Sequence, residues 1–138
     1  MSDLKRFLEA QDDDFEIALS EIKNGRKQSH WMWYIFPQIA GLGFSSTSRF
    51  YAVKDVNEAQ EYLNHPILGK RLIEISEALL EIEDKPAYRI FGSPDDMKLK
   101  SSMTLFAALT KTNSVFQKVL DKYYNGEKDE RTLQILGD

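Results

Sequence analysis

Apolar residues recur at intervals of three and four along most of this chain, the spacing of one face of a helix. Phe15, Ala18, Leu19 and Ile22 give residues 13–24 such a face. The run "DDD" at 12–14 reads as the start of that helix. Asn24-Gly25 reads as its stop, with Lys23, Arg26 and Lys27 beside the negative end. "DVNEAQEYL" opens on Asp55 with Glu58 three residues on, a capping-box pattern. In "HPILGKRLIEISEALLEI", Pro66 suits a first helical turn, and Leu68, Leu72, Ile75, Leu79 and Ile82 form a stripe. Gly69 inside that stretch should weaken the helix by roughly 1 kcal/mol relative to alanine. "GSPDDMKLKSSMTLFAAL" offers Ser93 as a cap, Pro94 and two acids in the first turn, then a helix apolar nearly all round. Such a helix should be central. "NSVFQKVLDKYY" has Asn113 as a cap and Phe116, Val119, Leu120 and Tyr123 on one face, and "KDERTLQILGD" predicts a short last helix. Strict alternation of apolar and polar residues is almost absent. The pattern predicts one all-α domain over residues 1–138, an irregular array of about seven helices without significant sheet.

Composition narrows the functional classes. The 138 residues are enough for one domain with a real core, without disulfide or metal staples. The formal net charge of -4 argues against nucleic-acid binding, which depends on neutralising phosphates with Lys and Arg. The chain contains no cysteine, which removes disulfides, thiol catalysis and thiolate metal sites. His30 and His65 are isolated, so no metal site and no cofactor are expected. The N-terminal stretch lacks the apolar run of a secretory signal, and no segment approaches the ~20 apolar residues of a membrane span. The expected location is the cytoplasm.

Three polar segments interrupt the helical rhythm. "NGRKQSHWMWYIFPQ" holds His30, Trp31, Trp33, Tyr34, Phe36 and Gln38. The rings either anchor the core or line a cleft, where one could stack a flat ligand. His30 is either a hydrogen-bonded structural residue or a general acid–base near neutral pH. "GLGFSSTSRFY" offers the hydroxyls of Ser45 and Ser48, or else Ser46 or Thr47 simply caps a short helix before Tyr51. Its G-x-G lacks the context of a dinucleotide fingerprint, and it has no G-x-S-x-G elbow. In "FGSPDDMKLKSS", Asp95, Lys98, Ser101 and Ser102 fall three and four apart, so they share one helix face. That stripe is either a solvent-facing ion pair or a partly buried polar site that must find partners.

Taken together, "GRKQSHWMWYIFPQIAGLGFSSTSRFYA", "EAQEYLNHPILGKRL" and "IFGSPDDMKLKSSMTLF" resemble the domain-of-unknown-function 1810 family, from about Leu4 to Leu136. The resemblance implies a compact, mainly helical cytoplasmic domain common in bacteria. It brings no activity and no catalytic set. The motif is rich in His, Gln, Ser, Asp, Lys and Trp, where a purely structural motif would be mostly apolar with Gly and Pro.

The expected function is a small-ligand site shared by the three segments. Arg26, Lys27 and Lys98 would meet an anionic group such as phosphate. Trp31 or Trp33 would stack a ring. Gln38, Ser45, Ser48, Ser101 and Ser102 would orient polar groups, and His30 and Asp95 are the candidate catalytic residues. A nucleotide-like or ADP-ribose-like ligand suits this set, with hydrolysis as its possible chemistry. Two rivals stand beside it: a protein-interaction module using exposed aromatics, and nucleic-acid binding through "KNGRKQSHW".

Overall fold

A buried glutamine explains the largest departure from the helix pattern. In the computed structural model, which describes residues 3–137, the first helix α1 (Lys5–Lys23) begins well before the expected start at residue 13. Gln11 occupies a core position between Phe7 and Phe15, so the apolar period looked broken there. Its amide nitrogen donates to the Tyr34 carbonyl (2.7 Å) and the Tyr62 hydroxyl (2.9 Å), which removes the cost of burying it. The "DDD" run therefore lies inside α1, where Asp14 accepts a hydrogen bond from the Tyr34 hydroxyl.

Eight further helices follow among the described residues: α2 (Met32–Ile35), α3 (Ser46–Tyr51), α4 (Val56–Asn64), α5 (Leu68–Leu80), α6 (Ala87–Phe91), α7 (Asp95–Ala107), α8 (Val115–Tyr124) and α9 (Glu130–Leu136). The count exceeds the expected seven because α2 and α6 are too short to show a helical period. The all-α expectation holds among the described residues. Their one β-type pairing is an isolated parallel bridge between Ile39 and Val53.

As expected, α7 is central, packed against α4, α6, α8 and α9, although its first half is mostly polar. Leu99, Met103, Leu105 and Phe106 are buried, and so are Ser101, Ser102 and Thr104. On the other side, α1 packs on α5, which packs on α4 and α8. Among the described residues no helix is long and apolar enough to cross a membrane.

Several helix ends differ from expectation in their chemistry. The Asp55 side chain accepts the Glu58 N–H (2.9 Å) as expected. The return bond of the capping box is absent, because the Glu58 carboxylate takes the Lys54 N–H (2.9 Å) and Arg6 (2.8 Å) instead. Pro66 precedes α5, and His65 closes its start by accepting the N–H groups of Ile67 (3.1 Å) and Leu68 (3.2 Å). Ser93 does not cap α7: the Gly92 carbonyl takes the Asp96 N–H (2.9 Å), so backbone closes that turn. The α3 cap is Ser45, not Ser46 or Thr47, with its Oγ accepting the Ser48 N–H (3.1 Å). Asn113 accepts the Val115 N–H (2.8 Å) at the start of α8.

Candidate functional site

The aromatic segment is positioned by a reversal at the end of α1. Gly25, at φ +80°, donates to the Ile22 carbonyl (2.8 Å), and Arg26 donates to that of Glu21 (3.0 Å). This pair of bonds is a Schellman closure, which needs a left-handed residue at the glycine. The chain then folds back over Glu21. The Glu21 carboxylate accepts the N–H groups of Gln28 (2.8 Å) and Ser29 (3.0 Å), the Ser29 hydroxyl (2.5 Å) and the Trp31 indole N–H (2.9 Å). Burial alone would raise the pKa of Glu21. The hydrogen bonds from Ser29, Gln28 and Trp31 outweigh it and lower the pKa from 4.5 to about 2.

A group whose pKa falls on folding stabilises the fold above its unfolded pKa and loses that effect as the pH drops. Glu21 should therefore contribute fully above about pH 4.5 and progressively less towards about pH 2. Denaturant unfolding of wild type and Glu21→Gln across that range checks this. The stability gap between them should shrink on acidification; parallel curves would contradict it.

Trp31 is thereby a core anchor, 1% exposed and packed near Phe36 and Phe91. Trp33 is different. It is partly exposed and forms one wall of a cleft of about 530 Å³. Gln38 and the glycine loop Gly41–Ser45 follow, then Ser48, Arg49 and Tyr51 from α3. The bridge between Ile39 and Val53 holds both ends of this loop together, with Val53 N–H on Gln38 O and Ala40 N–H on Val53 O, each 2.8 Å. Gly43 leaves room for the loop to fold on itself: a Cβ there would lie 2.5 Å from Ser48 Oγ. Pro94, Met97, Lys98 and Ser101 supply the opposite wall from the start of α7. Asp129 and Arg131 complete it from the C-terminal end of the chain.

The three polar segments thus meet, though not with every expected member. Trp33, Gln38, Ser45, Ser48, Lys98 and Ser101 line the cleft. Arg26 and His30 are exposed and outside it. The Lys27 side chain is largely buried and does not line the cleft, its ammonium 3.0 Å from Asp95. Asp95 is not a free base: it also lies 3.3 Å from Lys98. Trp31, being buried, is not the ring that could stack a ligand. Ser102 points inward, fully buried, and its Oγ has no hydrogen-bond partner among the described residues. The hydroxyls of Ser45, Ser48 and Ser101 are engaged locally, with Ser48 Oγ, the Ser45 carbonyl and the Met97 carbonyl respectively.

The cations do more than the sequence reading assigned them. Lys98 sits 4.7 Å from the centroid of the Trp33 ring, a cation–π distance. Arg49 and Arg131 line the same cleft, and Arg131 reaches the Gly41 carbonyl (3.3 Å). In sequence, Arg49 belongs to the polar segment "GLGFSSTSRFY" without an assigned role, and Arg131 reads as one more solvated charge. Arg131 arrives only because the Asp129 N–H donates to Thr104 Oγ1 (2.9 Å), which docks α9 on α7. The arrangement can hold a flat, negatively charged molecule, with Lys98 beside the indole and two arginines in the same lining.

This architecture recurs in another protein. The crystal structure of the conserved hypothetical protein Rv1873 from Mycobacterium tuberculosis is similar, at 45% sequence identity and a TM-score of 0.96. The match covers 99% of this chain and 97% of that one. No curated protein matches the sequence. The model of the family described as "Protein of unknown function (DUF1810)" matches residues 1–136, and the chain belongs to that family.

Proposed function

We propose that the cleft binds a small anionic ligand carrying a flat ring, nucleotide-like or ADP-ribose-like. The observation that carries this reading is the composition of its wall. In a chain of net charge -4, Arg49, Lys98 and Arg131 come from three separate helices to a single cleft, beside the indole of Trp33. Its 530 Å³ falls within the range of about 300–1,000 Å³ usual for ligand sites. Cations brought together in this way repel one another, a cost that an anionic ligand relieves. The reading is of binding, because the candidate catalytic pair His30 and Asp95 lies outside the lining.

A thermal-shift series tests it. A nucleotide or ADP-ribose at a hundred times its dissociation constant should stabilise the protein by roughly 2.7 kcal/mol. Lys98→Ala should abolish the shift while keeping its helical circular dichroism. His30→Ala and Arg26→Ala should leave it intact. Loss of the shift in His30→Ala but not Lys98→Ala would move the site elsewhere.

A second reading, a protein-interaction surface, is favoured by Phe44 and Phe50, which are 77% and 59% exposed. Under that reading Phe44→Ala would abolish capture of a protein partner, and no small molecule would shift the melting temperature.

A further inference from the structure

The electrostatics of the cleft extend one layer behind its wall. Arg49, Lys98 and Arg131 line the cleft together with Asp129, so cations exceed anions there by two. Asp129 subtracts charge, and it also has a structural task. One of its carboxylate oxygens accepts both the N–H (2.9 Å) and the hydroxyl (2.6 Å) of Thr132, capping α9. Asp95, behind the lining, threatens to subtract more. One of its oxygens lies 3.3 Å from the Lys98 ammonium. Were that carboxylate alone, it would cancel Lys98 and halve the excess.

Lys27 prevents this. Its ammonium lies 3.0 Å from the other oxygen of Asp95, and its side chain is only 9% exposed. Two further contacts hold it there. Its backbone N–H donates to the Ile90 carbonyl (2.7 Å), and its ammonium lies 5.1 Å from the Trp31 ring centroid. A shielded pair of this kind is screened by salt far less than an exposed one. Asp95 is therefore neutralised from behind, and Lys98 keeps its charge for the cleft.

We infer that the group recognised is a doubly charged phosphate, and that Lys27 is the positioning residue that makes the second charge count by cancelling Asp95. The inference rests on the reading of the cleft as a ligand site. Phosphate suits it because two guanidinium groups and an ammonium arrive from separate helices. Phosphate presents them with separate oxygens in a tetrahedral array, where a carboxylate offers two in one plane. Two chemical sources supply two negative charges, a terminal phosphate monoester with both on one phosphorus and a bridged pyrophosphate diester with one on each.

Isothermal titration with adenosine monophosphate, its monomethyl phosphate ester and ADP-ribose tests the inference. The wild-type protein should bind both dianions at least about tenfold more tightly than the singly charged methyl ester. Lys27→Met should lower the affinity for the dianions by about tenfold. Lys27→Met with Asp95→Asn, which removes both members of the pair, should restore it. That recovery also separates the charge argument from a simple loss of folding. The tighter of the two dianions at about pH 8 names the source. Lowering the pH to about 5 checks the charge: adenosine monophosphate, whose phosphate gains a proton near pH 6, should weaken, and ADP-ribose, whose bridged group keeps both charges, should not. Equal affinity for the methyl ester and the dianions overturns the inference while leaving the cleft reading in place, and so does failure of the double variant to recover. No binding of any of the three overturns both.

Discussion

Replacing Gly69 by alanine is expected to destabilise the fold by about 3 kcal/mol, although helix propensity alone favours the change by about 1 kcal/mol. The reason is a close approach of backbone to backbone. A Cβ on Gly69 would lie 1.9 Å from the Leu63 carbonyl oxygen and 2.8 Å from its carbon. A flexible side chain could swing aside; a peptide group within α4 cannot. Gly69 is in the first turn of α5, where its N–H donates to the His65 carbonyl (3.0 Å). Relieving the clash would part α4 from α5 and disturb the His65 cap between them. Urea unfolding followed by circular dichroism decides the sign. A Gly69→Ala protein as stable as wild type would show that the two helices can separate freely.

The second large effect is expected at Arg6. Its guanidinium donates to the Glu58 carboxylate (2.8 Å), the Phe50 carbonyl (2.8 Å) and the Ala52 carbonyl (2.8 Å). Glu58 is 3% exposed. Arg6→Met strands that carboxylate with only the Lys54 N–H for a partner among the described residues. Removing one member of a buried ion pair typically costs about 3–5 kcal/mol, because the other charge stays buried and unpaired. Glu58→Leu on top of Arg6→Met should recover much of the loss, since the stranded charge is gone. Losses that simply add would contradict the pairing argument. The change should also reach the cleft: Tyr51 and Ala52 line it, and Arg6 holds the chain on either side of Tyr51. Weaker ligand binding in the double variant, even after stability recovers, is the expected signature.

The fold was legible where one helix face or a whole helix was apolar. The central place of α7 follows from the spread of its apolar residues, because Leu99, Met103, Leu105 and Phe106 point in too many directions for a surface helix. The true length of α1 was not legible. Gln11 is polar in sequence but sits in the core, and its partners Tyr34 and Tyr62 lie far along the chain. The meaning of Gly69 was likewise hidden. Within its own helix it is a weakness, and only the path of α4 shows what the missing Cβ makes possible.

The site was legible in outline and not in detail. The three polar segments do meet, and Trp33, Gln38, Lys98 and Ser101 face one space. Trp31 and Trp33 are indistinguishable in the string "HWMW", because what separates them is Glu21. Nothing local marks Glu21 for this role, because only the Schellman turn brings Ser29 and Trp31 over it. Arg131 carries no local signal, since its position depends on the docking of Asp129 against Thr104, and Arg49 is marked only by its segment, whose two ends the Ile39–Val53 bridge joins.

The same two tryptophans supply the most direct test of the central claim. Nuclear magnetic resonance of the nitrogen-labelled protein gives each indole N–H its own signal, assigned by Trp31→Phe and Trp33→Phe. Trp31 is buried and bonded to Glu21, whereas Trp33 faces the cleft. On titration with ADP-ribose, the Trp33 signal should move in a saturable way while that of Trp31 stays nearly still. If neither signal moves, or both move together without saturation, the cleft is not the binding site proposed for it.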